Sequence, residues 1–486
     1  MISSISFENF KSFKSLKDLK LKPITIVCGT NSCGKSSILQ SIMAMKQSVE
    51  SQSNDQFMLL NGKYVHLGLF ENIIYEKKQV NDVLLKFEAN TVNYDLRFRL
   101  KRLAEIHGDD ADLSNATISI ETKLKSLRKQ SKKILRPIRV VSYKIIIEYG
   151  SKKNSQEKYT SFISFEYDKS KKYIVDWKNI KAGFSTDDDI IITGNAKFTC
   201  YFNNLIPYVS IGANKSSINH DINDFFWVVR YILKGIFESY SYIGPLREEA
   251  SRRYIYEDEV TEIGIKGENA PYLYTNESDN KIKKYYTLKN DKFMRKDSSL
   301  ADGVNEWLNI LGIAGFNSDL VNEMIYLNLD ATQHNSTKVN IAEVGFGISQ
   351  VFPIILEGLR IKSYDTLILE QPEIHLHPKM QMDIADYFLS LALSDKNLII
   401  ETHSEHLINR LVRRILEDET NKIKELIAIY FISPSENGAE VEPINIDPYK
   451  GIINWPKNFF DQTAVEQEKI IIAGLQKRKR EREKKN

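Results

Sequence analysis

GTNSCGKS, residues 29–36, fits the phosphate-loop pattern G-x-x-x-x-G-K-[ST] at every fixed position. In this pattern two glycines let the backbone curl so that its amide groups point inward at phosphate oxygens. Lys35 is then expected to reach the β- and γ-phosphates, and the hydroxyl of Ser36 to coordinate Mg²⁺. We predict that nine consecutive residues hold a nucleotide with Mg²⁺: Gly29, Thr30, Asn31, Ser32, Cys33, Gly34, Lys35, Ser36 and Ser37.

The residues on either side of the loop agree with this prediction. Ile24 to Cys28 is a nearly continuous apolar run, typical of a strand buried on both faces. A helix is predicted from Lys35 to about Val49, and its N-terminal dipole end would face the same phosphates. The sequence has no clear Asn-Lys-x-Asp motif for recognising guanine, which favours ATP over GTP.

A second motif supplies acidic groups. Thr366 to Leu369 is predicted to be a buried strand that ends at Glu370, where a carboxylate can reach the Mg²⁺ shell. This string resembles the Walker B motif of ABC-type ATPases, with Glu370 in place of Asp and Gln371 at the position of the catalytic Glu. Glutamine can position water but cannot accept its proton. Two alternatives stay open: Glu373 serves as the base, or hydrolysis is slow and the protein is an ATP-gated switch.

Two further motifs resemble parts of ABC-type ATPases. The segment GFGISQ, residues 345–350, precedes an apolar helix and resembles a divergent ABC signature, which in that family contacts the γ-phosphate bound by the other subunit. We therefore predict that Gly345, Gly347, Ser349 and Gln350 act in trans. His403 follows the predicted strand Asn397 to Ile400, at the position of the switch histidine of that family, and it joins Glu370, Gln371 and Glu373 as a predicted catalytic residue.

Two features near these motifs allow other interpretations. Four histidines (His375, His377, His403 and His406) fall in one region, but no cysteine or second carboxylate cluster accompanies them at standard zinc spacing. In Tyr242 to Arg247 (YIGPLR) the Gly-Pro pair favours a turn. Arg247 approaches phosphate or an interface in one interpretation, and belongs only to a structural turn in the other.

The motifs together resemble the bacterial AAA-15/ABC-type (SMC-like) ATPases of phage-defence systems. This family includes the PtuA subunit of Septu, the AriA subunit of PARIS and the ATPase part of OLD nucleases. The resemblance implies an ATP-binding and ATP-hydrolysing subunit that controls a separate effector, with a nuclease favoured. Fewer than ninety residues follow His403, too few for the Toprim nuclease of OLD proteins, and no HNH pattern is seen. The resembling segments are residues 5–42, 60–70, 242–247, 343–356, 366–378, 399–411 and 452–461.

Composition sets weaker limits. Apolar residues make up 42% and charged residues 27%, as in ordinary globular proteins, and the net charge of +3 gives no global argument for nucleic acid. The use of three cysteines and the absence of a long apolar run predict a cytoplasmic protein without a membrane span. One basic run leaves nucleic acid open as a partner, against a solvated face: Lys123, Lys125, Arg128, Lys129, Lys132, Lys133, Arg136 and Arg139.

We predict an α/β fold, an ABC/SMC-type head with a P-loop lobe and a signature lobe plus an inserted α+β region. The expected divisions are 1–100 for the first lobe, 101–240 for the insertion, 241–460 for the second lobe and 461–486 for a charged tail. Strands are expected at Val141 to Tyr149 and Tyr159 to Tyr167, and a hairpin at Leu60 to Phe70. Because signatures of this kind act in trans, an ATP-sandwiched homodimer is expected, with a higher oligomer left open.

Two other functions stay open beside the effector-controlling ATPase. Gln371 motivates an ATP-gated scaffold that hydrolyses slowly or not at all. An SMC-like DNA-maintenance ATPase is the third hypothesis, against which the sequence lacks a long heptad array for a coiled-coil arm.

Overall fold

The computed structural model describes residues 1–52, 56–78, 81–90, 110–126, 138–154, 156–168, 172–182, 190–210, 217–257, 259–332, 335–456 and 462–483. Its fold is α/β, as predicted, and is organised around one large sheet. Its described strands span Ile2–Phe10 (β1), Phe13–Lys20 (β2), Ile24–Gly29 (β3), Val83–Asn90 (β4), Ala111–Ser126 (β5), Ile138–Ser151 (β6), Lys158–Tyr167 (β7), Tyr173–Ala182 (β8), Ile190–Phe198 (β9), Tyr240–Ile243 (β12), Thr366–Glu370 (β19), Asn397–Glu401 (β20), Ile427–Ser435 (β21) and Gly438–Pro443 (β22). Their order across the sheet is β12-β19-β20-β3-β21-β22-β2-β1-β4-β5-β6-β7-β8-β9.

Smaller sheets complete the strands that the structure describes. They are β10 (Cys200–Asn203) with β11 (Ile206–Val209), β14 (Lys281–Lys289) with β15 (Lys292–Ser299), β23 (Ile446–Asp447) with β24 (Gly451–Ile452), and a group of β13 (Tyr254–Ile255), β16 (Asn317–Val321), β17 (Met324–Thr332) and β18 (Asn335–Asn340).

The described helices lie against the large sheet or between the smaller ones, apart from the exposed C-terminal helix. They are α1 (Lys35–Glu50), α2 (Ser217–Glu238), α3 (Ala270–Glu277), α4 (Leu300–Ile310), α5 (Gly347–Arg360), α6 (Pro378–Leu393), α7 (Glu405–Glu417), α8 (Lys422–Leu426) and α9 (Gln462–Glu483), with 3₁₀ turns at Phe70–Ile73, Tyr75–Lys77 and Ile341–Glu343. None of these helices is long and apolar enough to cross a membrane.

The parallel part of the sheet positions the site. Strands β12, β19, β20, β3 and β21 run parallel, whereas the strands from β22 to β9 pair antiparallel. The carboxyl ends of parallel strands lie along one edge of a sheet, where α/β proteins bind ligands. The phosphate loop after β3 and the acidic residues that end β19 and β20 are therefore brought to one edge.

The core lies on both faces of this parallel part. Val27 of β3 belongs to the cluster that includes α1 and α2, whereas its neighbours Ile26 and Cys28 belong to the cluster that includes α5, α6 and α7. Alternation of this kind places successive side chains on opposite faces of a strand. The prediction that β3 is buried on both faces is confirmed.

Other predicted elements compare as follows. The predicted helix after the loop is α1, and the predicted strands at 141–149 and 159–167 are the inner parts of β6 and β7. At the expected hairpin, residues 60–67 form a short antiparallel turn, with a bridge between Asn61 and His66 and the Leu67 amide donating to the Leu60 carbonyl at 2.8 Å, and a 3₁₀ helix begins at Phe70. Strands β5 to β9, in the stretch predicted as an insertion, continue the main sheet from β4.

The basic run predicted at 123–139 falls partly outside the described residues, which leave out Arg128, Lys129, Lys132, Lys133 and Arg136. Of the rest, Lys123 and Lys125 on β5 face the carboxylate of Asp82, at 3.8 and 3.5 Å. The guanidinium of Arg139 lies 4.6 Å from the centre of the Tyr167 ring. Contact between this run and nucleic acid stays a prediction.

Candidate functional site

The phosphate loop leaves β3 at Gly29 and enters α1 at Lys35. Both loop glycines have backbone angles that side chains rarely adopt, with φ of +144° at Gly29 and +107° at Gly34. A Cβ atom at Gly29 would lie 2.0 Å from the carbonyl oxygen of Ile432, and one at Gly34 would lie 2.0 Å from Oγ of Ser12. The turn therefore requires glycine at both positions.

Lys35 is stored against the loop itself. Its side chain is buried, and Nζ donates to the carbonyl oxygens of Gly29 at 3.1 Å and of Thr30 at 2.6 Å. The thiol of Cys33 donates to the same Thr30 carbonyl at 2.8 Å. Phosphate oxygens would be stronger partners for an ammonium group than these neutral carbonyls. An anion at the loop would therefore be expected to replace these carbonyls as the partner of the Lys35 ammonium group.

Two glutamates end adjacent strands beside the loop. Glu370 on β19 is the register partner of Glu401 on β20, and Glu401 is the partner of Val27 on β3. The hydroxyl of Ser36 donates to Oε1 of Glu401 at 3.1 Å, while Oε2 of Glu401 is buried without a hydrogen-bond partner. Burial, followed by the charge of Glu370, raises the pKa of Glu401 to about 7, against the opposing effects of Ser36 and Lys35.

Glu370, the predicted Mg²⁺ ligand, has a different partner. Its Oε1 accepts a hydrogen bond from the Tyr242 hydroxyl at 2.9 Å. Burial raises the pKa of Glu370, while the Tyr242 hydrogen bond and the charges of Arg247 and Lys11 lower it. The Ser36 hydroxyl, which was predicted to share the metal with Glu370, donates to Glu401 instead.

Arg247 holds the turn that follows Glu370. Its Nη2 donates to the carbonyl oxygen of Glu370 at 2.8 Å and to that of Gln371 at 3.2 Å, and Nη1 also donates to Gln371 at 3.2 Å. Burial lowers the pKa of Arg247 to about 10. Gln371 has a φ of +45°, so the chain turns sharply where the arginine binds it. In this structure Arg247 acts on the turn, which is one of its two predicted roles.

His403 and Glu373 are joined through the backbone. The His403 amide donates to Oε1 of Glu373 at 2.6 Å, and Oε2 of Glu373 is buried without a partner. The imidazole of His403 is exposed, and partial desolvation, then the charge of Lys35, lowers its pKa. The backbone amide of Gln371 donates to the backbone carbonyl of Glu401 at 2.7 Å, which joins the ends of β19 and β20.

Some of these groups line a cavity of about 620 Å³, the P-loop cavity. The predicted residues Gly29, Thr30, Cys33, Glu370 and Glu373 are not among those that line it. The residues that line it are Ser12, Asn31, Ser32, Gly34, Lys35, Ser36, Ser37, Gln371, Glu401 and His403.

Sequence reasoning missed two of the lining residues, Ser12 and Glu401. Glu401 ends a buried apolar strand just as Glu370 does, and that shared pattern was a signal for it. Ser12 lies between β1 and β2, and nothing in its local sequence marks it. The fold brings Ser12 to the cavity wall, where its Oγ closely approaches the position of a Cβ on Gly34.

The signature-like segment lies at the start of α5, and its Phe346 and Gln350 line a separate cavity of about 740 Å³ that the predicted residues Gly345, Gly347 and Ser349 do not line. The Ser349 hydroxyl donates to the Phe346 carbonyl at 2.9 Å, and the Gln350 side chain is buried. A Cβ at Gly347 would lie 3.1 Å from the carbonyl oxygen of His375, whereas one at Gly345 would meet nothing within 4 Å. Among the described residues, the signature-like segment contributes to this cavity and not to the P-loop cavity.

The four histidines have separate surroundings. His377 caps α6, with its Nδ1 accepting from the Lys379 amide at 3.3 Å, and His375 makes an edge contact with the Phe346 ring at 5.4 Å. Within the described part of the chain, no group of three or more His, Cys, Asp or Glu side chains is arranged to hold a metal ion.

Comparison with family models gives two matches. A model described as an AAA ATPase domain matches residues 1–408, which include the P-loop and every lining residue of its cavity. A second model, described as a protein of unknown function, matches residues 424–470. A search of curated proteins found no match.

Solved structures of SMC heads are similar over nearly their full length. The SMC head domain from Thermotoga maritima has 8% identity and a TM-score of 0.34, covering 92% of this chain and 99% of that one. An SmcHead bound to the C-winged helix domain of ScpA has 11% identity and a TM-score of 0.42, covering 92% and 98%. An Smc head domain with an extended coiled coil from Pyrococcus furiosus, bound to the C-terminal domain of ScpA, has 10% identity and a TM-score of 0.38, covering 91% and 96%.

Proposed function

Because this chain belongs to the AAA ATPase domain family, we propose that it binds ATP with Mg²⁺ in the P-loop cavity, hydrolyses it, and dimerises around it to control a separate effector in phage defence. The observation that carries the proposal is the convergence of Lys35, Ser36, Gln371, Glu401 and His403 on that cavity. Binding and hydrolysis of ATP follow from the family. The Mg²⁺ site, the dimer, the effector and the defence role are the proposed parts.

The residues of the cavity fit a triphosphate with a divalent cation. The loop amides and the N-terminal end of α1 favour an anion, and Lys35 has a strong charge bound only to neutral carbonyls. The buried, unpartnered Oε2 of Glu401 and the hydroxyl of Ser36 are oxygen donors of the kind that Mg²⁺ prefers. A bound Mg²⁺ ion would neutralise developing charge on the transferred phosphoryl group.

The side chains at the cavity rim suggest how water is handled. The side-chain amide of Gln371 can orient a water molecule but cannot accept a proton from it. Glu373 has a free buried carboxylate oxygen, and burial raises its pKa, which favours a proton-accepting role. However, Glu373 does not line the cavity. We therefore expect slow turnover, with Gln371 and His403 positioning water and the γ-phosphate.

The dimer is proposed from the separation of the two cavities. The signature-like segment lines a cavity other than that of the P-loop, and beside it Leu246 and Phe346 are 74% and 48% exposed. Exposed apolar side chains next to a helix N-terminus provide a surface for a second copy, whose phosphate would meet Ser349. The same arrangement allows a higher oligomer.

The effector and the defence role rest on the motif resemblance. Purification of the tagged chain from its native host, followed by mass spectrometry, tests the effector. A stoichiometric nuclease or other toxic protein supports the proposal, and recovery of the chain alone argues against it. In phage challenge, the Lys35→Ala variant is expected to lose protection, and full protection by that variant would refute an ATP-dependent defence role.

Gln371 favours a second candidate, an ATP-gated scaffold that scarcely hydrolyses. Steady-state turnover of the purified chain separates the two. Turnover that is slow but measurable, and that is lost in Lys35→Ala, excludes the scaffold, whereas tight ATP binding without turnover supports it.

A further inference from the structure

Glu401 occupies the most central position of the three acids at the edge of the sheet. It ends β20, which lies between β19 and the P-loop strand β3. Its register partners are Glu370 on one side and Val27 on the other. The side chain is only 4% exposed, and it lines the P-loop cavity.

The carboxylate of Glu401 is only half satisfied. Oε1 accepts the Ser36 hydroxyl at 3.1 Å, but the buried Oε2 has no hydrogen-bond partner among the described residues. A buried carboxylate oxygen without a hydrogen-bond partner carries an uncompensated desolvation cost, which an exposed one does not. Its position against a phosphate loop indicates that a cationic ligand completes its coordination.

Glu370 is less well placed for direct contact with such a ligand. Its Oε1 is engaged by the Tyr242 hydroxyl at 2.9 Å, and it does not line the cavity. Its backbone carbonyl is held by Arg247. These contacts turn the Glu370 carboxylate toward β12 and leave Glu401 as the carboxylate next to Ser36.

We propose that Glu401, together with Ser36, binds the divalent cation directly, and that Glu370 supports the site from behind. This inference rests on the proposed function, since it assumes that the P-loop cavity holds ATP with its metal. It replaces Glu370 by Glu401 as the carboxylate ligand in the predicted pair of Ser36 and Glu370. The competing role is that Glu401 only orients the Ser36 hydroxyl.

The variant Glu401→Gln separates these roles, because the amide oxygen still accepts from Ser36 while the negative charge is lost. A second variant, Glu401→Asp, keeps the charge on a shorter side chain. Glu440→Gln makes the same chemical change at an exposed position of β22, outside the site, and serves as control.

The measurement is Mn²⁺ binding by electron paramagnetic resonance, on the full chain saturated with a non-hydrolysable ATP analogue. We expect the Mn²⁺ dissociation constant of Glu401→Gln to rise at least about tenfold, Glu401→Asp to fall between it and the native chain, and Glu440→Gln to be unchanged. Analogue binding in EDTA should be retained by every variant, which also shows that each is folded. Native Mn²⁺ affinity in Glu401→Gln would overturn the inference.

Failure of the proposed function has a different signature. In that case the native chain itself does not bind the analogue, either with Mn²⁺ or in EDTA. A native chain that binds analogue and Mn²⁺, together with a Glu401→Gln variant that binds both equally well, refutes only the role of Glu401.

Discussion

Three carboxylates crowd the edge of the sheet beside Lys35. Burial is the first cause that raises the pKa of each of Glu370, Glu373 and Glu401, and the charges of the other two acids add to the effect at Glu401. A metal-free site of this kind works against folding, because charge is gathered where water is scarce. Under the proposed function, a bound cation would relieve this repulsion.

The substitution Glu401→Gln should therefore stabilise the metal-free protein above neutral pH. The pKa of Glu401 is raised from 4.5 to about 7 in the folded chain. Between these values the folded state keeps a proton that the unfolded state has lost, so native stability falls as pH rises through this window. Relative to the native chain, the variant should gain roughly 1–3 kcal/mol between pH 4.5 and pH 7.

Urea unfolding in EDTA at pH 5 and pH 8 measures this gain. Glu440→Gln, which changes an exposed carboxylate, should follow the native chain at both pH values. The electrostatic account would be contradicted if the free energy of unfolding of Glu401→Gln differed from that of the native chain by the same amount at both pH values.

Site residues that are neighbours in the chain are easier to predict from the sequence than site residues that only folding brings together. Lys35 and Ser36 are predictable because the whole phosphate loop is contiguous. The contacts of Ser36 with Glu401, and of Tyr242 with Glu370, join residues 365 and 128 positions apart. They depend on the order of the strands, which no local pattern specifies.

The turn after β19 depends on Arg247, which lies in the segment that follows β12. Arg247→Met should leave the carbonyls of Glu370 and Gln371 without their charged donor and lower the free energy of unfolding by about 2 kcal/mol. Urea unfolding measures the change.

Arg252→Met is the matched control for this prediction. The Arg252 side chain is 79% exposed, and its Nη2 lies 3.7 Å from Glu343. Its loss should change stability by less than about 0.5 kcal/mol. Equal effects of the two substitutions would show that Arg247 does not stabilise the turn.

Elements with one dominant pattern were predicted well from the sequence. The apolar run of β3, the helix after the phosphate loop and the strands before Glu370 and His403 are all observed. The segment at 60–70 was predicted as a hairpin, and it forms a single antiparallel bridge followed by a 3₁₀ helix. Its apolar residues Leu60, Leu67 and Phe70 pack into the core.

In the whole molecule, the sheet order joins distant parts of the chain. β3 lies between β20 and β21, which are more than 350 residues later in the sequence, while β5 to β9 extend the opposite end. Sequence patterns predicted the α/β class and many of the strands but could not specify this order. The predicted division into lobes at 100 and 240 stays a prediction.

The proposed dimer leads to a prediction about the oligomeric state of the whole molecule. Sedimentation velocity should show a monomer without nucleotide and a dimer with ATP and Mg²⁺. Ser349→Arg places a bulky cation in the surface proposed to meet the second copy, so it should prevent the dimer while the monomer still binds ATP. Glu419→Arg, at an exposed position after α7, should dimerise normally. An ATP-dependent dimer of Ser349→Arg would refute this surface.

The most direct test of the central claim is calorimetric titration of the purified chain with ATP and Mg²⁺, beside the Lys35→Ala variant. The P-loop cavity should bind one ATP per chain, and the variant should show no binding at the same concentrations while its melting temperature without nucleotide stays near that of the native chain. ATP binding that survives loss of the Lys35 ammonium, or a native chain that binds no ATP, would contradict the assignment of this cavity as the nucleotide site.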